Sequence, residues 1–336
     1  MINNRRNFIK KAAYATLGIS VLGRNVMAAK PVYSAPAGKR IGMIGLDTGH
    51  CVAFTQSFNA TDAGDKYRGY QVTAAYPKGT ELIKEWKDRI PQITQEMKGL
   101  GVEIVDSMDE LLAKTDVVLI TCIDGNRHLE QAIPVIKAKK PLFIDKPFTA
   151  SYKDAHAIVE LAKQYQVPMF SSSSLRYMEG IDTITETVGK VLGADIFSPA
   201  SIEPNHPDLF WYSIHGIEIL FAIMGTGCKS VKRTFTPDTD SVVGVWDDNR
   251  IGVYRGIRKG KSGYGATVFG DKAIKILDRD GGYNPLLVKV AEFYDTKIVP
   301  FPVEQTLEII AFMEAAEESK KRGGITIDLE QVMKNV

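Results

Sequence analysis

The segment IGMIGLDTGH, residues 41–50, decides the fold of the first half of this chain. Its run IGMI is typical of a buried strand, and a helical pattern follows the turn. Gly45 opens that turn as in the G-x-G-x-x-G fingerprint of dinucleotide-binding folds. The second glycine position holds Asp47, however, and the last holds His50 beside Gly49. The segment therefore predicts a strand–turn–helix unit with altered phosphate contacts.

The carboxylate of Asp47 is a problem for this interpretation, because it would repel a nearby pyrophosphate. Asp47 and Thr48 are both good helix N-cap residues, and either could close the first helical turn. If the Asp47 side chain folds onto backbone N–H groups, its charge points away from the phosphates while occupying some of those donors. The helix N-terminus then still offers an anion site. We therefore expect the turn to contact a cofactor with weakened pyrophosphate affinity, through Gly45, Asp47, Thr48, Gly49 and His50.

Outward from this turn, apolar strand patterns alternate with helical patterns up to residue 174. The later strand patterns are QVTAAY (71–76), VEIV (102–105), DVVLITC (116–122), PLFIDKP (141–147) and VPMFSS (167–172). Such alternation is typical of an α/β fold with a parallel doubly wound sheet and helices on both faces. We therefore predict a Rossmann domain over residues 39–174.

Strand patterns follow one another without intervening helices in much of residues 175–336, and helical segments flank them. This order predicts a carboxy-terminal α+β domain with a mostly antiparallel, open-faced sheet. Three cysteines, too few and too scattered for a disulfide framework, are expected to be small buried residues.

The amino-terminal residues 1–30 have the pattern of a secretory signal. The apolar run 12–22 is too short to span a bilayer, and RRNFIKK (5–11) resembles a twin-arginine signal, whose pathway exports folded proteins. A basic amphipathic surface helix is the alternative. We expect a periplasmic protein with a linker over 31–38 and no membrane span in the mature chain.

Charge excludes nucleic acid as an expected partner. The chain has 42 Lys and Arg against 40 Asp and Glu, and six of the basic residues lie in residues 1–30, which contain no acid. The rest therefore has 42 − 6 = 36 basic residues against 40 acidic ones and is mildly acidic.

Two further motifs complete the pattern. In residues 116–147 a strand leads to a loop with Asn126 and His128, then to a helix and to Asp145-Lys146-Pro147. In WYSIHGIEILFAIMG (211–225) a histidine opens an apolar helix. Together with the first turn, these motifs resemble the glucose–fructose oxidoreductase, inositol dehydrogenase and rhizopine-catabolism (Gfo/Idh/MocA) family, with its Asn-x-x-His-like loop, Glu-Lys-Pro and Asp-x-x-x-His segments.

The resemblance implies an NAD- or NADP-dependent oxidoreductase that acts on a sugar or polyol. It also implies a homo-oligomer formed through the exposed face of the second sheet. Besides the residues of the turn, we expect these to contact the cofactor: Lys78, Thr121, Asn126, His128, Asp145 and Lys146.

Lys146 is the first catalytic candidate. Oxidation of an alcohol needs a base for the hydroxyl proton, and a lysine that hydrogen-bonds the same oxygen stabilises its developing charge. Lys146 ends a buried strand at the edge where parallel sheets bind ligands. The alternative is an exposed strand-end lysine that pairs with Asp145.

His215 is the second catalytic candidate. The helix dipole disfavours a protonated imidazole near a helix start, so a neutral base is favoured there. The alternative is a histidine satisfied in the core. Glu218, one helical turn on, could orient the ring, or it could be an ordinary hydrogen-bonded residue of that face.

The segment before this helix departs from the family pattern, because Trp211 stands where aspartate is expected. Asp208 is the nearest acid that could substitute as a catalytic residue. His206, Trp211 and Tyr212 are candidates for substrate binding in a carbohydrate pocket, although an aromatic turn that plugs the core is an open alternative. These residues lack the i, i+4 histidine spacing of a helix-borne zinc site, so no metal is expected.

The second strand ends without an acid for a ribose hydroxyl, and Lys78 follows instead, which is compatible with the 2′-phosphate of NADP. Outside the cytoplasm we expect a tightly bound cofactor that is recycled within a turnover. The alternatives are a glycosidase-like member of the family and a non-catalytic carbohydrate-binding protein on the same fold.

Overall fold

The computed structural model describes residues 35–334. The predicted export signal, residues 1–30, and the first half of the linker 31–38 lie outside the described residues. No helix within 35–334 combines the length and the apolar character needed to cross a bilayer.

The amino-terminal half forms a six-stranded parallel sheet in the order β3-β2-β1-β4-β5-β6. Its strands are β1 (Arg40–Ile44), β2 (Gln71–Tyr76), β3 (Glu103–Ile104), β4 (Val117–Ile120), β5 (Leu142–Asp145) and β6 (Met169–Ser172). Strand order reverses between β1 and β4, and ligands bind in such sheets outside the carboxyl ends of the strands at that point. The predicted Rossmann sheet is confirmed.

The helices of this half follow the strands as the alternation predicts. They are α1 (Gly49–Phe58), α2 (Lys84–Lys87), α3 (Ile90–Gly99), α4 (Met108–Lys114), α5 (His128–Lys137) and α6 (Tyr152–Tyr165). Side-chain oxygens cap several of them: Thr48 caps α1, Ser107 caps α4 and Ser151 caps α6. These caps satisfy backbone donors that a helix start otherwise leaves unpaired.

The second half forms a seven-stranded sheet in the order β12-β11-β7-β10-β9-β8-β13. Its strands are β7 (Val191–Pro199), β8 (Cys228–Thr236), β9 (Thr239–Trp246), β10 (Ile251–Ile257), β11 (Gly265–Gly270), β12 (Ile274–Leu277) and β13 (Ile327–Asp328). Only the β7–β10 pair is parallel among these described strands, so the predicted mostly antiparallel sheet is confirmed.

The helices of this half are α7 (Ile184–Val188), α8 (Asp208–Trp211), α9 (Ile214–Met224), α10 (Asn284–Thr296), α11 (Val303–Lys321) and α12 (Leu329–Met333). Helices α9 and α11 cover one face of the second sheet. Helix α9 packs on β7 and α11 on β8. The opposite face leaves Phe197, Ile251 and Ile276 exposed.

Helix α10 lies in the second half of the sequence but packs on the first sheet. Leu287 and Phe293 are buried in the same cluster as Phe54 and Phe170. The Tyr294 hydroxyl donates to the carbonyl oxygen of Val118 at 2.6 Å. The predicted boundary at residue 174 therefore separates the strands of the two sheets. The core around the first sheet also includes residues of α10, beyond that boundary.

Candidate functional site

The site begins at the turn between β1 and α1. Gly45 has a φ of +85°, and a Cβ there would lie 2.6 Å from the Cβ of Cys122. Only glycine fits, because other residues are strained at this φ and would collide with the chain after β4. Gly49, by contrast, is exposed and has open space beside its Cα at the first residue of α1.

Asp47 is fully buried and points away from the start of α1. Its carboxylate accepts from the amide N–H of Thr80 at 2.6 Å and from that of Ile123 at 2.9 Å. These donors belong to the loops after β2 and β4. Burial raises the pKa of Asp47, and the two N–H donors oppose that rise. The carboxylate therefore ties two loops together and neither caps α1 nor faces a phosphate.

This placement corrects the expectation that Asp47 occupies donors of the helix start. Thr48 is the N-cap, and its Oγ1 accepts from the amide of His50 at 3.4 Å. Within residues 35–334 the amide of Gly49 makes no hydrogen bond. A helix start with an open amide and no facing carboxylate suits a pyrophosphate. The turn therefore fits a dinucleotide held by Gly45, Gly49 and His50.

His50 and Asp145 form a contact that the sequence did not predict. Nδ1 of His50 lies 2.6 Å from Oδ2 of Asp145, at the end of β5. Burial works to raise the pKa of Asp145, but His50 and Lys146 outweigh it and hold the pKa below its usual value. Asp145 is thus an ionised carboxylate in the floor of the site.

Lys146 follows directly and is 8% exposed. Its ammonium makes no hydrogen bond or ion pair with the described part of the chain. Burial lowers the pKa of Lys146, and the charges of Asp145 and Asp47 partly offset this effect. The predicted alternative of an exposed lysine paired with Asp145 is therefore wrong.

His215 lies in the first turn of α9 and is 6% exposed. Burial lowers its pKa well below the ordinary value, and the charges of Lys146 and His50 lower it further. The three side chains therefore share one region, although they come from α1, β5 and α9. Nδ1 of His215 lies 2.6 Å from Oγ of Ser173, so Ser173 orients the imidazole.

Ser173 was missed from the sequence, and a signal for it was available. It follows β6 in the run SSSS (171–174), at the edge where strand ends gather ligands. Glu218 does not orient His215. Its Oε2 lies 3.2 Å from Nη1 of the buried Arg176, and burial raises its pKa while Arg176 opposes the rise.

Two tyrosines complete the wall of the site. The Tyr212 ring lies 5.3 Å from that of His215, and the Tyr283 ring lies 5.0 Å from that of His50. Burial, followed by the charge of Asp145, raises the pKa of Tyr283 to about 12. The Tyr283 phenol therefore stays protonated at neutral pH, and both rings offer hydroxyl groups beside aromatic faces.

Asp208 lies elsewhere, which corrects its predicted catalytic role. Its Oδ2 accepts from Nη2 of Arg233 at 2.9 Å and pairs with Lys320. Arg233 also pairs with Asp240 and Glu317 at 2.8 Å each. Asp208 therefore belongs to a buried ion cluster of the second domain.

His206 and Trp211 lie where the two domains contact each other. They therefore do not line the predicted carbohydrate pocket. Nε2 of His206 is 3.2 Å from Oδ1 of Asp124, and its ring lies 5.1 Å from that of Trp211. Trp211 packs with Ile83 and Ile123. The aromatic segment thus divides: Tyr212 faces the site, and its neighbours join the domains.

Three residues that were predicted to contact the cofactor make hydrogen bonds within the protein. The Thr121 hydroxyl donates to the carbonyl of Gly45 at 2.9 Å, and both ring nitrogens of His128 lie within 3.0 Å of carbonyl oxygens. Asn126 is exposed, and its amide donates to Asp124 and to the carbonyl of Asn205. The structure thus gives Thr121 and His128 buried structural roles.

Lys78, the remaining predicted contact, is exposed after β2. All three cysteines are buried and free, as predicted. Within residues 35–334, no three His, Cys, Asp or Glu side chains come together in a way that could hold a metal ion.

Residues 39–172 match the Gfo/Idh/MocA model, described as an oxidoreductase family with an NAD-binding Rossmann fold. Myo-inositol 2-dehydrogenase of Thermotoga maritima is 25% identical over 214 residues, 55% of this chain and 63% of that protein. Inositol 2-dehydrogenase of Cereibacter sphaeroides is 31% identical over 102 residues, 30% of each chain. The chain thus spans less than two thirds of these relatives.

Solved structures share the whole fold. Scyllo-inositol dehydrogenase of Lactobacillus casei with bound NAD(H) and scyllo-inositol is similar with a TM-score of 0.68 and 15% identity, over 87% of this chain and 99% of that one. A probable dehydrogenase of Thermotoga maritima gives a TM-score of 0.69 and 21% identity over the same shares. At these identities the likeness establishes the fold.

Proposed function

We propose that this protein is an NAD-dependent oxidoreductase of a sugar or polyol, because residues 39–172 match the model of the Gfo/Idh/MocA oxidoreductase family with its NAD-binding Rossmann fold. The observation that carries the proposal is the meeting of Lys146 and His215. Asp145 and Ser172 are register partners on the paired strands β5 and β6, so Lys146 and Ser173 follow them at the same edge of the sheet, and Oγ of Ser173 lies 2.6 Å from Nδ1 of His215. The charge of Lys146 also lowers the pKa of His215. An acid–base pair from two separate elements suits oxidation of an alcohol.

Bound NAD would supply the hydride acceptor. Lys146 donates a hydrogen bond to the reacting oxygen and stabilises its developing negative charge. His215 accepts the hydroxyl proton, since its low pKa keeps the imidazole neutral at neutral pH. Nδ1 of His215 lies 2.6 Å from Oγ of Ser173, and with the proton on Nδ1 the other ring nitrogen, Nε2, accepts from the substrate.

The walls support a neutral, hydroxyl-rich substrate. Tyr212 and Tyr283 bring aromatic faces and hydroxyl groups to His215 and His50. Aromatic rings pack on the apolar faces of sugars, and the hydroxyls serve as donors and acceptors to ring substituents. Some related proteins are inositol dehydrogenases, and a cyclic polyol fits this chemistry.

The test uses the full chain, purified under native conditions. Mass spectrometry of the released small molecules identifies bound NAD or NADP. Each nucleotide is then mixed with inositols, hexoses and hexitols while the absorbance of reduced nicotinamide is followed. We expect turnover with at least one polyol, and a loss of at least a hundredfold in Lys146→Met and His215→Ala.

His156→Ala is the matched control, because this histidine lies on α6 beside Tyr152 and outside the site. Its activity is expected to equal that of the parent chain. Absence of turnover with both nucleotides and every polyol, in protein that retains a native circular dichroism spectrum, contradicts the proposal. Sugar binding without turnover in that case supports the non-catalytic alternative.

Two further proposals concern assembly and location. The outer face of the second sheet carries exposed apolar side chains, which supports a homo-oligomer formed through it. The exposed large side chains of this face are Phe197, Val245, Ile251, Ile274 and Ile276. The signal pattern in residues 1–30 supports a periplasmic location and therefore a cofactor retained between turnovers.

A further inference from the structure

His50 has no part in the reaction proposed above, yet its side chain is fixed in the same cleft. The imidazole stacks on Phe54 with ring centres 5.1 Å apart and meets the edge of Tyr283 at 5.0 Å. Its side chain is 16% exposed. An imidazole stands where the fingerprint places glycine, so this chain has a proton-carrying group at a position that ordinarily has no side chain.

Asp145 depends on this imidazole. Its side chain is 3% exposed, and the 2.6 Å contact with Nδ1 of His50 is the only hydrogen bond to its carboxylate from a side chain of the described residues. Oδ1 of Asp145 is buried and makes no hydrogen bond within residues 35–334. An ionised carboxylate only accepts, so Nδ1 of His50 carries the proton and donates it. A buried charge that loses such a donor is strongly penalised.

Lys146 in turn depends on Asp145. Its ammonium lies in a buried position without an ion-pair partner closer than 4.0 Å in the described chain. The charges that favour its protonated form are those of Asp145 and Asp47. The titratable groups whose charges interact with the Asp145–Lys146 pair, from the elements packed around it, are Asp47, His50, Cys51, His215 and Tyr283.

We propose that His50 is a positioning residue: by donating from Nδ1 to Asp145 it keeps that carboxylate ionised, and the carboxylate in turn keeps Lys146 protonated as the hydrogen-bond donor of the site. Without His50, Lys146 opposes the burial of Asp145 without the hydrogen bond from Nδ1, so the pKa of Asp145 rises. A larger protonated fraction of Asp145 leaves less negative charge beside Lys146, which then releases its own proton more easily. The catalytic meaning of this coupling rests on the proposed function, but the coupling itself does not.

The test measures the protonation of Lys146 without any substrate or cofactor. The full chain is acetylated with trace acetic anhydride at a series of pH values, and mass spectrometry follows the peptide that contains Lys146. Only the neutral amine reacts. In His50→Ala we expect the midpoint pH of Lys146 acetylation to fall by about one unit. At a fixed pH below the midpoint, the rate of acetylation should then be about tenfold higher. Asp145→Asn should show the same fall.

His50→Asn separates the hydrogen bond from packing, because its amide nitrogen can replace Nδ1 as the donor. We expect its midpoint to stay within about 0.3 units of the parent chain, a twofold difference in reaction. An unchanged midpoint in His50→Ala overturns the proposal, as does an equal fall in His50→Ala and His50→Asn. If His50→Ala fails to fold, the comparison of His50→Asn with Asp145→Asn decides by the same criteria.

The two proposals can fail separately. A protein that turns over no polyol but shows the shifted Lys146 midpoint contradicts the proposed function and leaves the coupling intact. If turnover exists, His50→Ala should also displace the basic limb of the kcat profile to lower pH, because Lys146 must be protonated to donate. A purely structural role of His50 would lower kcat without moving that limb.

Discussion

Replacement of Asp47 by glycine would restore the fingerprint and remove a negative charge from a predicted phosphate site. On the sequence alone, this change should strengthen cofactor binding. The structure predicts the opposite, because the carboxylate is fully buried and holds the amides of Thr80 and Ile123 at 2.6 and 2.9 Å. These two contacts bind the loops after β2 and β4, which flank the cofactor crevice.

The magnitude follows from these contacts. A hydrogen bond to a charged group contributes about 1.5–3 kcal/mol, and Asp47 accepts two from backbone amides. The desolvation that raises its pKa offsets part of this sum, so we expect Asp47→Gly to destabilise the fold by about 2–4 kcal/mol. Each kcal/mol lowers the unfolding temperature of a domain of about 150–250 residues by about 2–4 °C. The expected fall is thus about 4–16 °C.

Thermal unfolding followed by circular dichroism, and NADH binding followed by fluorescence, provide the measurements. Asp47→Ala serves as the control, since it removes the carboxylate without adding the backbone freedom of glycine. We expect both variants to unfold earlier and to bind NADH at least tenfold more weakly. An Asp47→Gly protein that is as stable as the parent and binds NADH more tightly would refute the loop-bridging role.

The pH dependence of this difference has a definite sign. The folded-state pKa of Asp47 is raised by burial, so its contribution is fully present below the unfolded pKa and decreases as pH rises through the folded pKa. The stability advantage of the parent chain over Asp47→Ala should therefore grow as pH falls from 7 toward about 4. An advantage that shrinks over this range would contradict the assigned direction.

Other predictions concern the base, the second core and the oligomer. Ser173→Ala should lower kcat by about ten- to a hundredfold with little change in KM, because His215 loses its orienting partner, while Ser174→Ala serves as the neighbouring control. Since the pKa of His215 lies well below its ordinary value, kcat/KM should stay level as pH falls through the ordinary histidine range and decline only below it. Arg233→Met should lower the free energy of unfolding, measured in urea, by about 3–5 kcal/mol, because Asp208, Asp240 and Glu317 lose their common partner. Lys259→Met, which removes an exposed ion pair, should leave the urea midpoint unchanged. Ile251→Asp on the outer sheet face should reduce the mass measured by light scattering, and an unchanged mass would exclude that face as the interface.

The sequence by itself determined the framework of the protein. Apolar strand runs that alternate with helical patterns gave the parallel sheet, and the later strands gave the second one, because backbone pairing and burial follow local periodicity. The turn at Gly45 and the strand-end Lys146 could also be located, since both lie at the ends of recognisable strands. A helix start near His215 was equally visible.

Only the tertiary structure decided what the polar side chains of the site contact. Asp47 bonds to amides 33 and 76 residues away, His50 to a carboxylate 95 residues away, and His215 to a serine 42 residues away. Asp208, on helix α8, accepts a hydrogen bond from Arg233 of strand β8. A buried polar group points to whichever partner satisfies it, and such partners come from distant parts of the chain. Periodicity fixes which residues are buried, but it does not encode these pairings.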